Sequence, residues 1–456
     1  MKKEKLIEQP ITTSLLTLAW PIILSNLMQT TYNIVDTIWV GKLGADAVAA
    51  VSLGFPIIFL MMSLALGFTI AGTSLIAQHK GAQEQAKVNK YTGQTLVVVT
   101  IVSIVFSVVG FIFNEQILRI LGAEGRVLRL GTDFLNMLFI GLTPMFIYFV
   151  FTSVLRGLGD SKTPMKLMFI STVINIILDP VLIFGWGPFP KLEVLGAALA
   201  TTLARVLVAI IGVKILFSGD YGVKLQLADL WPKWGAIKKL VAVGVPASLE
   251  QSTNAVGMLL MTGTVATFGT SAVAAYGIGN RVLSLVFMPA LGFSAATTTL
   301  VGQHLGADNQ EKAEQTVLIS TLLDFLILTG IAILVFGLAP YIVQLFNDNA
   351  QVLNLGTSYL QIIAFSFGFM GTLRVVNGGF KGAGDTIPAM VFSALSLCVL
   401  RVPLANFLAH YLEMGTRGLW WGVFIANLLG AILAFIWFKR GVWKKKVIVN
   451  PANNYG

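Results

Sequence analysis

Hydrophobic residues in this chain fall into runs of about 20, parted by short polar stretches, without the strict alternation that marks a barrel strand. A run of that length crosses the apolar core of a bilayer as a helix, because a helix satisfies its own backbone hydrogen bonds where water is absent. The pattern predicts twelve spans, near 14–38, 47–72, 93–113, 131–153, 163–184, 195–217, 240–264, 275–300, 317–339, 356–377, 388–410 and 418–440. The expected fold is an all-α integral membrane protein.

The polar stretches carry a second pattern. Gln78-His79-Lys80-Gly81-Ala82 returns as Gln303-His304-Leu305-Gly306-Ala307, with the numbering raised by 225. The same offset relates Gly157-Leu158-Gly159-Asp160 to Gly382-Ala383-Gly384-Asp385, and Pro21 to Pro246. One offset across several loops means duplication. Six spans return the chain to its starting side, so the copies share an orientation and a pseudo-two-fold axis along the membrane normal. The expected parts are a six-helix lobe at 1–217, a cytoplasmic linker at 218–239 lying across the interface, a second six-helix lobe at 240–440 and a cytoplasmic tail at 441–456. The end of that tail, from Asn450, is read as disordered. Two like lobes in a membrane suit a transporter that rocks around a site between them.

Composition agrees: 56% of residues are hydrophobic, 11% are charged and the mean hydropathy is +0.81, which excludes a soluble enzyme. The net charge of +10 raises a nucleic-acid partner, but its placement argues against one. Lys2, Lys3, Lys5, Lys80, Lys87, Lys90, Lys162, Lys166, Lys233, Lys238, Lys239 and Lys444 to Lys446 all fall on one side if both termini are cytoplasmic. This places the protein in the cell membrane, both ends inside. Arg119, Arg126 and Arg129 break the pattern and are read as belonging to a surface helix. No cleavage site follows the first span, which is read as retained. Cys398 is the single cysteine and the three histidines are scattered, so neither a disulfide nor a metal cluster is expected; His79 and His304 read as structural groups at helix ends.

Chemistry is sought in the carboxylates within spans, each costing about 2.5–3.5 kcal/mol at the bilayer centre. Asp36 has Asn33 and Gln29 three and seven residues before it, on one helical face, with Tyr32 beside them. The alternative is a solvated carboxylate near the outer helix end. Asn175 and Asp179 are four residues apart, and Pro180 cannot donate to the Ile176 carbonyl. Such oxygens suit Na⁺ or a proton shared between carboxylates; the bland reading is a helix kink. Adding 225 to 36 gives Met261, so the two copies differ in chemistry here. Glu250 is a candidate for a cationic substrate or a second ion, or a partner of Arg281, Arg374 or Arg401; Asp324 is read as a partner of another helix. Met28, Met61, Phe151, Met258 and Met261 are candidates for lining a cavity that takes apolar ligands, with core packing the competing role. Gly157 to Thr163 resembles a phosphate-binding loop but has Ser161, not Gly, before Lys162. It reads as a tight turn capped by Asp160, as Asp385 would cap its repeat; no ATP site and no enzyme constellation is found.

Ala19-Trp20-Pro21-Ile22, Asn33-Ile34-Val35-Asp36, Gly41-Lys42-Leu43-Gly44, Arg156-Gly157-Leu158-Gly159-Asp160 and Asn175-Ile176-Ile177-Leu178-Asp179-Pro180 resemble the multidrug and toxic compound extrusion (MATE) family, over essentially the whole chain. The resemblance implies a two-lobe antiporter that expels cationic amphipathic drugs in exchange for H⁺ or Na⁺, with no further cofactor. It implies a cation site at Asp36, Asn175 and Asp179, with Thr201 as the candidate for a threonine that often joins it on the sixth helix. Glu250 resembles the seventh-helix acid of one branch, yet Gly371 and Thr372 stand where that branch often carries an Asp. The mixture looks closest to the DinF-like branch. A lipid-linked oligosaccharide flippase of the same superfamily is the rival, with Arg205, Arg281, Arg374 and Arg401 as groups for a pyrophosphate. A monomer is expected, since two internal halves remove any need for a dimer.

Overall fold

The computed structural model describes residues 6–446, so Lys2, Lys3, Lys5 and the end of the tail lie outside the described residues. The first six expected spans appear as α1 (Ile11–Gly41), α2 (Ala45–Gly81), α3 (Gln85–Ile120), α4 (Gly125–Gly157), α5 (Lys162–Phe184) and α6 (Glu193–Ser218). The seventh is α7 (Trp234–Ala266). The eighth divides into α8 (Thr270–Val286) and α9 (Met288–Gly306), and α10 (Gln310–Gln344) is the ninth. The tenth divides into α11 (Ala350–Ala364) and α12 (Phe367–Ala383). The eleventh, Thr386–Tyr411, contains α13 (Thr386–Ala394) and α14 (Arg401–Asn406), each followed by a π-helical turn, and α15 (Gly415–Lys439) is the last.

Among the described residues nine helices are long and apolar enough to cross a membrane, and eleven if each bent pair is one span. The remaining one, α7, has the length, but the run from Ser248 to Asn254 dilutes its apolarity with Glu250, Gln251, Ser252 and Thr253. The outer faces fit a lipid solvent. Ile104, Val108, Phe111 and Ile112 of α3 and Leu322, Leu326, Ile333 and Leu334 of α10 are all exposed, a density of bare apolar surface that water does not tolerate.

The copies differ in their bends. α2 and α4 run unbroken, whereas their repeats bend by 42° between α8 and α9 and by 52° between α11 and α12. Pro289 at the start of α9 withholds a backbone donor at the first bend. At the second, Ser366 Oγ donates to the Ile363 carbonyl at 2.7 Å, competing with the helix's own ladder.

Two compact units emerge, and their division is not the one expected at the linker. One takes Met1–Ile23, Gly81–Gln83 and Leu249–Gly456, the other Leu24–Lys80 and Glu84–Ser248, taken over the described residues. The boundaries Ile23/Leu24 and Ser248/Leu249 are themselves related by the repeat offset, so the opening part of α1 belongs with the second-half helices and that of α7 with the first-half helices. The sequence permits this through two repeat-equivalent glycines. A Cβ at Gly292 would collide with Ile23, and one at Gly67 would collide with Ser248. Leu15, Leu18 and Ala19 accordingly pack with Phe293, Ala296 and Leu300, while Ser248 Oγ donates to the Leu64 carbonyl at 2.9 Å.

The expected linker is fastened to α3. Gln94 Nε2 donates to the carbonyls of Asp229 and Trp231, each at 2.8 Å, and its Oε1 accepts from the Lys233 amide at 2.7 Å. Arg119, Arg126 and Arg129 occupy no separate surface helix; they sit in the ends of α3 and α4, which outrun the bilayer's needs and carry their polar ends into water. Asp160 caps α5 as expected, accepting from the amides of Lys162 and Thr163 at 2.9 and 3.0 Å. Asp385 does not cap α13; its carboxylate pairs with Lys446 at 3.2 Å.

Candidate functional site

Within the first-half unit, α1, α5 and α6 bring most of the candidate residues together. On α5, Asn175 and Asp179 are fully buried one turn apart, and Asn175 Nδ2 donates to Asp179 Oδ1 at 2.9 Å. That bond leaves Asn175 Oδ1 and Asp179 Oδ2 buried without hydrogen-bond partners, as is Asp36 Oδ1 on α1. Asp36 and Asp179 lie within electrostatic reach of each other, and Tyr32 lies within reach of both. Three orphaned oxygens around two like charges suit a cation or a proton, the one kind of guest that each oxygen accepts. Among the described residues no group of three His, Cys, Asp or Glu side chains converges, so a transition-metal site is not built here.

The partners that hold α1 beside this cluster come from α6. Tyr32 Oη donates to Thr201 Oγ1 at 2.5 Å, which brings Thr201 to the site. One turn on, the buried Arg205 donates to Gln29 Oε1 at 2.5 Å and stacks on the rings of Tyr32 and Tyr148, 5.5 and 5.7 Å from their centroids. Sequence reasoning assigned Arg205 only to a rival function. The signal was available in its spacing, since Thr201 and Arg205 share a helical face. Met61, Thr201 and Arg205 help enclose a cavity of about 30 Å³.

Other candidates fall elsewhere. The inward line on α1 is Gln29, Tyr32 and Asp36; Asn33 is exposed and accepts a bond from Gln29 at 3.1 Å. Met28 is half-buried on α1. Met261 and Phe151 are fully buried, Met261 in side-chain packing with the second-half helices, and Met258 is exposed. Glu250 belongs to the second-half unit, and its partner is none of the three expected arginines. It pairs with Lys381 at 2.8 Å and accepts from Asn377 at 3.4 Å. Lys381 went unnoticed because the expected span stops at 377, four residues short of it. Arg374 and Arg401 instead donate to neutral amides, Asn254 at 3.1 Å and Asn427 at 2.8 Å. Asp324 makes no contact of the kind expected: both its carboxylate oxygens are buried without a hydrogen-bond partner.

Near the loop between α2 and α3, His79 Nδ1 and Glu84 Oε2 are 2.6 Å apart, and the imidazole stacks on Tyr91 with centroids at 4.9 Å, the structural role expected of it. Burial pushes the Glu84 carboxyl up, but hydrogen bonds with Lys87 and His79 outweigh it and hold the group below the usual carboxylate range.

Comparison with known proteins fits this geometry. The chain is 32% identical over 434 residues to the probable multidrug resistance protein YoeA of Bacillus subtilis, covering 94% of this chain and 93% of that protein. It is 28% identical to a protein named FAD transporter of Shewanella oneidensis, covering 95% and 96%. A solved outward-facing multidrug resistance MATE transporter of the MOP superfamily superposes with a TM-score of 0.91 at 27% identity, over 98% of this chain and 99% of that one. The MatE family model matches twice, at residues 21–181 and 246–407, with the same offset between its two starts that the loops revealed. A chain so matched in both its halves is a multi-pass membrane transporter, not an enzyme, and belongs to the MATE family.

Proposed function

We propose that this transporter is a secondary antiporter of the cell membrane that exports cationic amphipathic compounds in exchange for H⁺ or Na⁺. The observation that carries this reading is the cluster of half-buried Asp36 with buried Asn175 and Asp179, each with one buried, unpartnered oxygen. Entry of the coupling cation neutralises the two carboxylates and removes their repulsion. The resulting shift of α1 against α5 and α6 passes through the Tyr32–Thr201 and Gln29–Arg205 bonds, which tie these helices to the site. A cationic drug and the coupling cation are then alternatives, and exchange of one for the other drives alternating access. In the second-half unit an apolar recess of about 490 Å³, edged by Ser252, Thr253 and Cys398, gives an amphipathic compound a place for its apolar part. We assign the protein to the DinF-like branch, with both termini cytoplasmic and the monomer as the working unit.

The test uses everted vesicles containing the protein, loaded with a fluorescent cationic dye and given a proton or a Na⁺ gradient separately. Dye movement driven by one gradient and lost in Asp36→Asn is the expected result. Export by Asp36→Asn equal to that of the wild type refutes the site.

A second reading rests on Arg374 and Arg401, whose charges face amides rather than carboxylates. Guanidiniums whose direct hydrogen-bond partners are amides suit an anionic substrate, as for a flippase that carries a lipid-linked pyrophosphate, and the relative named FAD transporter is consistent with a phosphate-bearing cargo. Dye export with no effect of added pyrophosphate compounds separates the two readings.

A further inference from the structure

The second-half unit holds a carboxylate that the mechanism above does not use. Asp324, midway along α10, has no exposed surface, and neither of its oxygens has a hydrogen-bond partner. Its environment is made by burial alone. α10 packs against α8, α9, α11 and α12. The titratable or charged groups on those helices are Tyr276 and Arg281, His304, Tyr359, and Arg374 and Lys381. Tyr276 and Tyr359 stack on Trp420, Arg374 bonds Asn254, Lys381 pairs with Glu250, and none of the six acts electrostatically on Asp324. On α10 itself the nearest such group toward the N-terminus is Glu314, about 15 Å along the axis. A charged carboxylate without a partner is untenable in such a place, whereas one that carries a proton is not.

Two further features make this a site. Gly371 of α12 faces Asp324, and a Cβ there would collide with Oδ2, so the carboxylate fills space that only glycine leaves open. Gly371 follows the 52° bend at Phe365–Ser366 by less than two turns, so straightening that bend moves the wall that covers Asp324. Below Asp324, buried hydroxyls line α10: Thr321 one turn away with its Oγ1 unpartnered, Ser320 accepting from Thr297 at 2.6 Å, and Thr316 donating to the Lys312 carbonyl at 2.7 Å. Hydroxyls both donate and accept, so Thr316 and Ser320 at one-turn steps before Asp324, with Thr321 beside them, are groups able to pass a proton toward the N-terminal end of α10. The equivalent first-half positions are Val99, Leu96, Thr95 and Tyr91, so the first copy has no matching carboxylate.

We propose that Asp324 is a second proton-binding site, fed along the Thr316–Ser320–Thr321 face and opened by movement of the α11–α12 bend. Its part in transport, though not its proton binding, rests on the antiport reading given above.

The experiment is difference infrared spectroscopy of the purified full-length protein, followed by counting protons moved per dye molecule in proteoliposomes. With Asp36→Asn and Asp179→Asn both in place, a carbonyl stretch from a protonated carboxyl is expected to remain, and it is expected to vanish when Asp324→Asn is added. In D₂O that band should shift with time, and Thr321→Val, which keeps the carboxyl but breaks the relay, should slow the shift by about tenfold or more. Protons moved per dye molecule should fall in Asp324→Asn. A spectrum unchanged by Asp324→Asn, or a proton count equal to that of the wild type in a transporting variant, overturns the proposal. If the wild type moves no dye but the band is present and exchanges, the proton site stands and only the antiport reading fails.

Discussion

At the scale of single residues, polar groups in this membrane protein are distributed by what else is near enough to satisfy them. Tyr32 and Arg205 illustrate two costs. Tyr32→Phe removes one hydroxyl bond to Thr201 but keeps the ring under Arg205, and a net loss of about 1 kcal/mol is expected in thermal unfolding. Arg205→Ala strips Gln29 Oε1 of its donor and both tyrosines of their stacking partner, and a loss of about 2–3 kcal/mol is expected. Equal melting of the two variants refutes this ranking. The site's acids were legible in the sequence because Asn175 and Asp179 are one turn apart and an acid within a span is rare. Arg205 was legible only through its spacing, one turn after Thr201, and Lys381 was not, since a cation in an apolar segment carries no sign of its partner until helices pack. Asn33 was misplaced for a related reason: the faces 29–33–36 and 29–32–36 differ by one position, and periodicity does not choose between them.

At the scale of elements, the repeat offset carried the helix order through the whole chain, while apolar runs understated the helix lengths. α3 and α10 run to 36 and 35 residues, and their polar ends look like loops on a hydropathy profile. The bends were invisible for a different reason: Ser366 bonds the carbonyl three residues back, but Ser63 and Ser103 make the same bond in helices that run unbroken, so the residue type does not announce a bend. The turn between α2 and α3 supplies a test of local electrostatics. Glu84 has its carboxyl held low in the folded state, so its stabilising contribution is complete above the unfolded value of about 4.3 and is lost as pH falls through the folded value. Glu84→Gln should therefore melt below the wild type at neutral pH, with the gap closing in acid. Melting curves collected from pH 7 downward check this, and a gap that persists or widens in acid contradicts it.

At the scale of the molecule, duplication and folding do not divide the chain at the same place. The sequence repeat suggests two lobes joined at the linker, yet the compact units exchange their opening helical segments at Ile23 and Ser248. The exchange is built into packing: Leu15, Leu18 and Ala19 complete a core made with Phe293, Ala296 and Leu300, and residues 219–248 bring the Gln94 latch and the Ser248–Leu64 bond to the first-half unit. A chain cut at Ser218 thus leaves each fragment short of a segment that it needs and burdened with one that it cannot pack. Fragments 1–218 and 219–456 should each be degraded or aggregated when made alone, and should assemble into a pair that purifies together when made in one membrane. Gly67→Leu or Gly292→Leu, which blocks one crossing, should abolish that assembly. Stable, monodisperse behaviour of either fragment alone means that its unit folds without the exchanged segment, and the repeat boundary would then be the folding boundary after all.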